Sequence, residues 1–284
     1  MSKDREHKIS ENFVLYDYCL PDGLICQWVY PRHQVGYDEF LSTAKLLVQM
    51  SLLTGREIRL CGEVDLVNRA GEELRDEAAR QDIEIIWGKN RFFEYSLRDE
   101  ERAEILKWKN YENFFSIAQV FPEDGDNFEL VRILMLGSFG TTGEKIRKIK
   151  DALPLAMRDI KNNIYLVLDK KNDKAVGVFV TKYLPELEEG EVQLHSVAGR
   201  SNDARVLQIP NKLPILMAAL LTTIDDHYPL GEYYGIGNQS YLPFQGAGKL
   251  TFSASAEGLL LSYKKLGFEF SNIAGLVFKP FMQL

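Results

Sequence analysis

From Ser253 to Phe268 the chain reads SASAEGLLLSYKKLGF, and no other stretch limits the fold as much. Leu259, Tyr263 and Leu266 recur at helical spacing, which predicts a short amphipathic helix. Gly267 follows where a helix C-terminus favours a left-handed glycine. Phe268 then opens a β-rich run, FEFSNIAGLVFKPF. A helix that hands directly to a strand places this end of the chain in a mixed α/β architecture. Taken alone, Leu-x-x-x-Tyr-x-x-Leu is an amphipathic core stripe, and its surroundings decide whether Tyr263 does more.

Composition narrows the function classes. A chain of 284 residues suits one large or two ordinary domains. Its 45% hydrophobic and 26% charged residues are those of a globular protein. A net charge of −7 argues against a broad nucleic-acid surface. Cys19, Cys26 and Cys61 are scattered without paired metal-ligand spacing and read as reduced thiols. No apolar run reaches the length of a spanning helix, and MSKDREHKISEN lacks a signal-peptide core. The expectation is a cytoplasmic protein with no membrane or nucleic-acid partner.

No internal repeat shows in the sequence. The polar stretch Phe121-Pro-Glu-Asp-Gly-Asp-Asn127 separates two apolar regions and predicts a division into residues 1–120 and 128–284. In the first part, strands at 13–18 and 24–30 flank the turn sequence Pro21-Asp22-Gly23. A helix over 37–53 stops at Gly55, and 57–61, 65–81 and 83–87 read as a β-α-β unit with parallel strands. Residues 98–117 read as a charged helix.

The second part predicts a strand over 128–136, then helix over 142–160 kinked or broken at Pro154. Two β-rich runs, 164–169 and 175–183, form a hairpin around Lys171-Asn-Asp-Lys174. Glu191–Val197 is a fourth strand, Pro214–His227 a helix, and Tyr233–Ile236 a fifth strand ending at Gly237-Asn238. This order, the hairpin YLVLDKKNDKAVGVFV and the Tyr263–Phe268 signature together resemble the GNAT N-acetyltransferase superfamily over the second part. The fold class expected is α/β: an N-terminal α/β domain followed by a GNAT-like mixed-sheet domain.

The resemblance implies a site. In that superfamily the fourth and fifth strands splay, the pantetheine arm of an acyl-CoA enters between them, and the pyrophosphate rests on amides at the next helix start. Unpaired amides and the helix dipole favour an anion there. The family's Gln/Arg-x-x-Gly-x-Gly/Ala motif matches Gln208-Ile-Pro-Asn211-Lys-Leu213. Gln208 fits, and Asn211 can adopt the glycine-like left-handed conformation. Leu213 departs from the pattern, and Pro210 and Pro214 remove two amides. Lys212, or Arg200 and Arg205 in the preceding loop, would meet phosphate instead. Backbone around Ser196 and Val197 would pair with pantetheine, and Asn238 would orient cofactor or the next helix.

An amine must lose a proton before attacking a thioester, so a base is needed. Strand alternation puts Glu191, Gln193 and His195 on one face, making Glu191 and His195 candidate bases. Tyr263, a phenol of ordinary pKa about 10, is positioned to protonate the departing thiolate. Asp225, Asp226 and His227 are consecutive on a helix and point apart, so no metal is expected. The leading expectation is transfer of acetyl from acetyl-CoA to a small-molecule or peptide amine. The first part would then supply acceptor recognition or an oligomer interface, such as that of a homodimer. The alternative is a GNAT-fold module that has lost catalysis and engages a protein partner, and Leu213 with the two prolines is what separates them.

Overall fold

A computed structural model describes residues 7–8, 10–19, 25–87, 91–97, 113–158, 162–184, 191–227, 248–254 and 257–281. β1 (His7–Lys8), β2 (Phe13–Cys19) and β3 (Ile25–Pro31) form an antiparallel meander. α1 (Tyr37–Thr54) buries Phe40, Ala44, Leu47 and Val48, a helical stripe, and stops where Gly55 turns left-handed at φ 64°. β4 (Ile58–Glu63) returns parallel to β3, and α2 (Val64–Ala79) buries Val67, Ala70, Leu74 and Ala78 before β5 (Ile83–Ile86). These elements follow the sequence closely because each carries its own period and stop signal.

β6 (Arg91–Ser96) and β7 (Phe115–Gln119) come next, followed by α3 (Gly125–Phe139) and α4 (Gly143–Arg158), which is continuous through Pro154. The hairpin β8 (Asn162–Asp169) and β9 (Lys174–Leu184) leads into β10 (Glu191–Ala198). α5 (Leu213–His227), β11 (Lys249–Ala254), α6 (Glu257–Lys265), β12 (Glu269–Phe270) and β13 (Ile273–Pro280) complete the chain. Gly267 takes φ 91° after α6, as a glycine-stopped helix requires. Among the described residues no helix is long and apolar enough to cross a membrane.

Two expectations fail locally. Residues 128–136, expected as a strand, lie inside α3. Leu130, Val131, Leu134 and Met135 are buried at helical spacing, and Glu129 and Arg132 pair one turn apart at 2.7 Å. An apolar run of this length fits either structure, and packing chooses. The end of the expected helix over 98–117 is instead the edge strand β7, paired with β8; residues 98–112 lie outside the described residues. The strand expected at Tyr233–Ile236 also lies outside them. The strand that pairs parallel with β10 is β11.

The sheets cross the division expected near residue 121. One sheet runs β1-β2-β3-β4-β13-β5 and the other β12-β6-β11-β10-β9-β8-β7. The chain's last strand, β13, therefore lies between β4 and β5, antiparallel to both. β6, from the first part, lies between β11 and β12 in the same way. β4 and β5 are parallel as predicted, but separated by β13. The two halves repeat one motif, β3–α1–β4–α2–β5 and β10–α5–β11–α6–β12, each with a parallel pair and a closing strand taken from the other half. No single-sequence pattern reports that exchange.

Four clusters fill the molecule. α1 and α2 pack on one face of the first sheet. α3 and α4 cover β8 and β9 on one face of the second sheet, while α5 and α6 cover its other face. The fourth cluster joins the sheets themselves: Tyr16, Trp28 and Tyr30 meet Phe92 and Leu184. Gly177 lets α5 approach, since a Cβ there would sit 2.8 Å from a Leu216 methyl and from the Ala198 carbonyl oxygen.

Candidate active site where the central strands part

β10 and β11 pair in parallel from Glu191–Lys249 to Leu194–Phe252, and no further. Past that point β10 continues to Ala198 on β9 alone, with a bulge at His195 between Leu194 and Ser196. A bulge twists the strand and frees backbone groups from the ladder. β10 and β11 therefore part at this point; the fifth strand from which Glu191–Val197 was expected to diverge, Tyr233–Ile236, lies outside the described residues.

Glu191 is 9% exposed and sits at the start of this pairing. Thr251 donates its hydroxyl to Glu191 Oε1, and Gln193 Nε2 donates to the same oxygen at 2.9 Å. Tyr30, from the first half, donates to Gln193 Oε1 at 3.0 Å. Burial holds the Glu191 carboxyl above the usual range, against the pull of Thr251, Gln193 and the Lys249 charge. A raised carboxyl supported by fixed donors has the character of a general base. His195 does not join it in a simple alternation, because the bulge falls on His195. The imidazole is pushed down to about 3 by burial and then by the Lys182 charge, so it stays neutral across the physiological range.

Tyr263 lies on the other side of the sheet. It is 7% exposed and packs on Phe252 at 4.4 Å, Phe93 at 5.5 Å and Phe268 at 6.1 Å between ring centroids. Burial raises its phenol above the ordinary value. Thr251 and Phe252 are consecutive strand residues and point to opposite faces. Glu191 and Tyr263 thus lie on opposite faces of the sheet at β11, Glu191 at the start of its pairing with β10 and Tyr263 against Phe252 at the end of that pairing.

The loop before α5 is tied down by its own polar groups. Arg205 N–H and carbonyl, with the Leu207 amide, hold the loop onto Ala175 and Asp203. The Arg205 guanidinium pairs with Asp203 at 3.0 Å, which draws the Asp203 carboxyl down to about 2. Gln208 Nε2 donates to the Ser201 and Val206 carbonyls at 2.8 and 3.1 Å. Asn211 is left-handed at φ 51°, as its glycine-like place requires. Lys212 Nζ donates to the Gly199 carbonyl at 2.7 Å, and burial lowers its pKa. Leu213 is part-buried against the α5 core rather than an open backbone step. Ser196 Oγ is shut off from solvent with no hydrogen-bond partner among the described residues, and Val197 packs on the same core. Asn238 lies outside the described residues.

A cavity of about 460 Å³ opens on the Glu191 face, between the two sheets. Its second-half wall carries Glu94, Glu191, Gln193, Lys249 and Thr251; its first-half wall carries Tyr30, Arg32, Cys61 and Glu63. Burial pushes the Cys61 thiol up to about 12, so it is not a nucleophile at neutral pH. Thr251, Glu94, Lys249 and Arg32 escaped the sequence reading. Strand alternation in KLTFSA would have flagged Thr251, had its small polar residues read as strand. Among the described residues no group of three His, Cys, Asp or Glu is placed to hold a metal.

No family model and no curated protein matches this chain. Solved structures do. A GCN5-related N-acetyltransferase from Kribbella flavida superposes over 98% of this chain and 91% of its own, at TM-score 0.53 and 13% identity. A conserved protein of unknown function from Staphylococcus epidermidis superposes over 98% and 94%, at 0.52 and 9%. A Drosophila protein covers 96% of this chain and 77% of its own, at 0.50 and 12%. At these identities the likeness is one of fold: the chain is a mixed α/β protein of GNAT-like fold.

Proposed function

We propose that the chain is an N-acyltransferase that moves an acyl group, most simply acetyl, from coenzyme A to an amine by direct attack. The observation that carries this reading is the parting of β10 from β11 with a buried carboxylate on one side and a buried phenol on the other. The residues present fit an acyl-CoA. The orphaned Ser196 Oγ and the bulged backbone supply polar groups beside the opening, and the Lys212 ammonium stands at the start of α5. In this reading Lys212, Gln208, Asn211 and Leu213 line the phosphate end, and Ser196 and Val197 the pantetheine. Glu191 takes the proton from the acceptor ammonium, freeing the nitrogen lone pair for the thioester carbonyl carbon. The carbon–sulfur bond breaks as the carbon–nitrogen bond forms, and the new amide nitrogen releases its second proton to solvent. Tyr263 gives its proton to the departing thiolate and recovers one from solvent. His195, held neutral, accepts or donates a hydrogen bond to the acyl end.

A second reading has its own support. Leu213, Pro210 and Pro214 leave few amides at the α5 start, and Lys212 folds onto Gly199 where an anion would draw it away. On that reading the protein is a GNAT-fold binding module without catalysis. Calorimetric titration with acetyl-CoA separates the two. Binding at micromolar to millimolar affinity, with thiol release once an amine is added, is the expected result. No heat of binding in a folded sample overturns the acyltransferase reading.

A further inference from the structure

The cavity between the sheets bears charges of both signs on opposite walls. On the second sheet, Glu94, Thr251 and Gln193 stand opposite one another across β6, β11 and β10, so their side chains share one face. Glu191 lies two residues before Gln193 on that face, and both of the bonds it accepts end on Oε1, leaving Oε2 to accept from a bound donor. Glu94 makes no hydrogen bond or ion pair with another described residue. The Glu94–Glu191 wall thus has two carboxylates and a gap between them.

Lys249, paired with Glu191 across β10 and β11, adds one positive charge to that wall, and the first-half wall sets Arg32 with Glu63. Arg32 follows β3 and lines the cavity. Its guanidinium Nε is shut off from solvent and has no hydrogen-bond partner, and Arg32 makes no ion pair with another described residue. The rest of the side chain is only half-buried, and a guanidinium with an unpaired buried donor is suited to a carboxylate or phosphate. The one carboxylate near it on this wall, Glu63, accepts from Gln34 Nε2 at 3.3 Å. A simple polyamine would be repelled by Arg32 and Lys249, and a polyanion by Glu63, Glu94 and Glu191.

We propose that this cavity takes a small zwitterion, an amino acid or a molecule with one ammonium and one carboxylate, its carboxylate on Arg32 and its amine on the Glu94–Glu191 wall. This deepens the acyltransferase reading and rests on it only for what happens next: the amine held against Glu191 is the one acylated. The acceptor site is then composite. The second half brings the base and the first half brings the anchor that chooses acids over plain amines. Tyr30 is a positioning residue in this arrangement, since its hydroxyl fixes Gln193, which fixes Glu191.

Binding can be read without turnover. A pool of the proteinogenic L-amino acids is screened at millimolar concentration against the full chain by ligand-observed NMR, and each binder is compared with its carboxamide and its deaminated acid. At least one amino acid should bind, with the amide and the deaminated acid each weaker by about tenfold or more, the loss of one charge-assisted contact. Arg32→Gln should erase the preference for acid over amide, and Glu94→Gln the preference for amino acid over deaminated acid. No binder in the pool, or amides that bind as well as acids, overturns the proposal. The native-chain comparison needs no variant, so the test stands even where Arg32→Gln fails to fold. Acetyl-CoA binding is measured separately. Amino-acid binding without acetyl-CoA binding sinks the acyltransferase reading and leaves this one, whereas acetylation of plain amines without regard to a carboxylate does the reverse.

Discussion

Replacing Glu191 by glutamine and by alanine should have opposite effects on stability, although both should abolish the role as base proposed for it. Glutamine keeps an oxygen where Oε1 stands, so the bonds from Thr251 and from Gln193 can persist. What it removes is a charge buried at 9% exposure, whose desolvation raises the carboxyl pKa. A carboxyl raised in the folded state binds protons more tightly there than in the unfolded chain. Native stability therefore falls as pH climbs from the unfolded value through the folded one, and stays lower above it. Glu191→Gln should melt higher than the native chain at pH 8, and the gain should vanish near pH 4. Alanine instead leaves two buried donors without an acceptor, each costing about 1–3 kcal/mol. Set against glutamine, alanine should lose about 2 kcal/mol or more, about 4 °C or more in Tm for a chain of this size. Calorimetric melts of the three proteins at both pH values are sufficient. A glutamine variant less stable than native at pH 8, or equal to alanine, would refute the view of Glu191 as a desolvated carboxylate held by two donors. Turnover should drop about 10²-fold or more in both variants.

Tyr263→Phe keeps the ring against Phe252 and Phe93, so its melting point should hold, while acyl transfer falls about 10²-fold or more if the phenol is the acid; unchanged turnover in a steady-state assay would make it a packing residue. Gly137→Ala would set a methyl directly against the Arg200 carbonyl oxygen, and denaturant melts should show a loss of about 1–3 kcal/mol as α3 is pushed off the loop before α5. A chain ending at Ser271 loses β13, and with it the ladder to both β4 and β5, so far-UV circular dichroism and exchange should report an unfolded first sheet rather than a trimmed edge. Lys212→Met should weaken acetyl-CoA by about tenfold in calorimetry without moving the melting point, if its ammonium leaves Gly199 for phosphate.

Much of the second half was legible because its signals are local. The hairpin around Asn172, the helix after Pro214 and the stop at Gly267 each carry a period or a turn residue of their own. Glu191 was legible as a strand residue sharing a polar face with Gln193. The rest depends on partners far away in sequence. Whether FELVRILML is helix or strand is settled by which surface it covers, and β8 already had its neighbour in β7. The bulge at His195 shifts one residue between faces, a change that alternation cannot anticipate. Arg32 carries nothing in its own neighbourhood that marks it: its meaning comes from the carboxylates of β6 and β10 across the cavity.

The exchanged strands explain why such a cavity can exist. Burying Glu191 and Gln193 between two sheets is costly unless their hydrogen-bond partners are held in place. Ordinary domain contacts would let the sheets slide or open. Here β13 leaves the second half to close the first sheet, and β6 leaves the first half to close the second. Each sheet is completed only by the other half, so relative motion would have to break backbone ladders on both sides. The aromatic contact of Tyr16, Trp28 and Tyr30 with Phe92 then serves as a spacer rather than the main bond between halves. On this argument the first half is not an accessory to a self-sufficient catalytic domain. It supplies a strand to the second half's sheet, Arg32 to the cavity wall and, through Tyr30, a hydrogen bond to the Gln193 that holds Glu191.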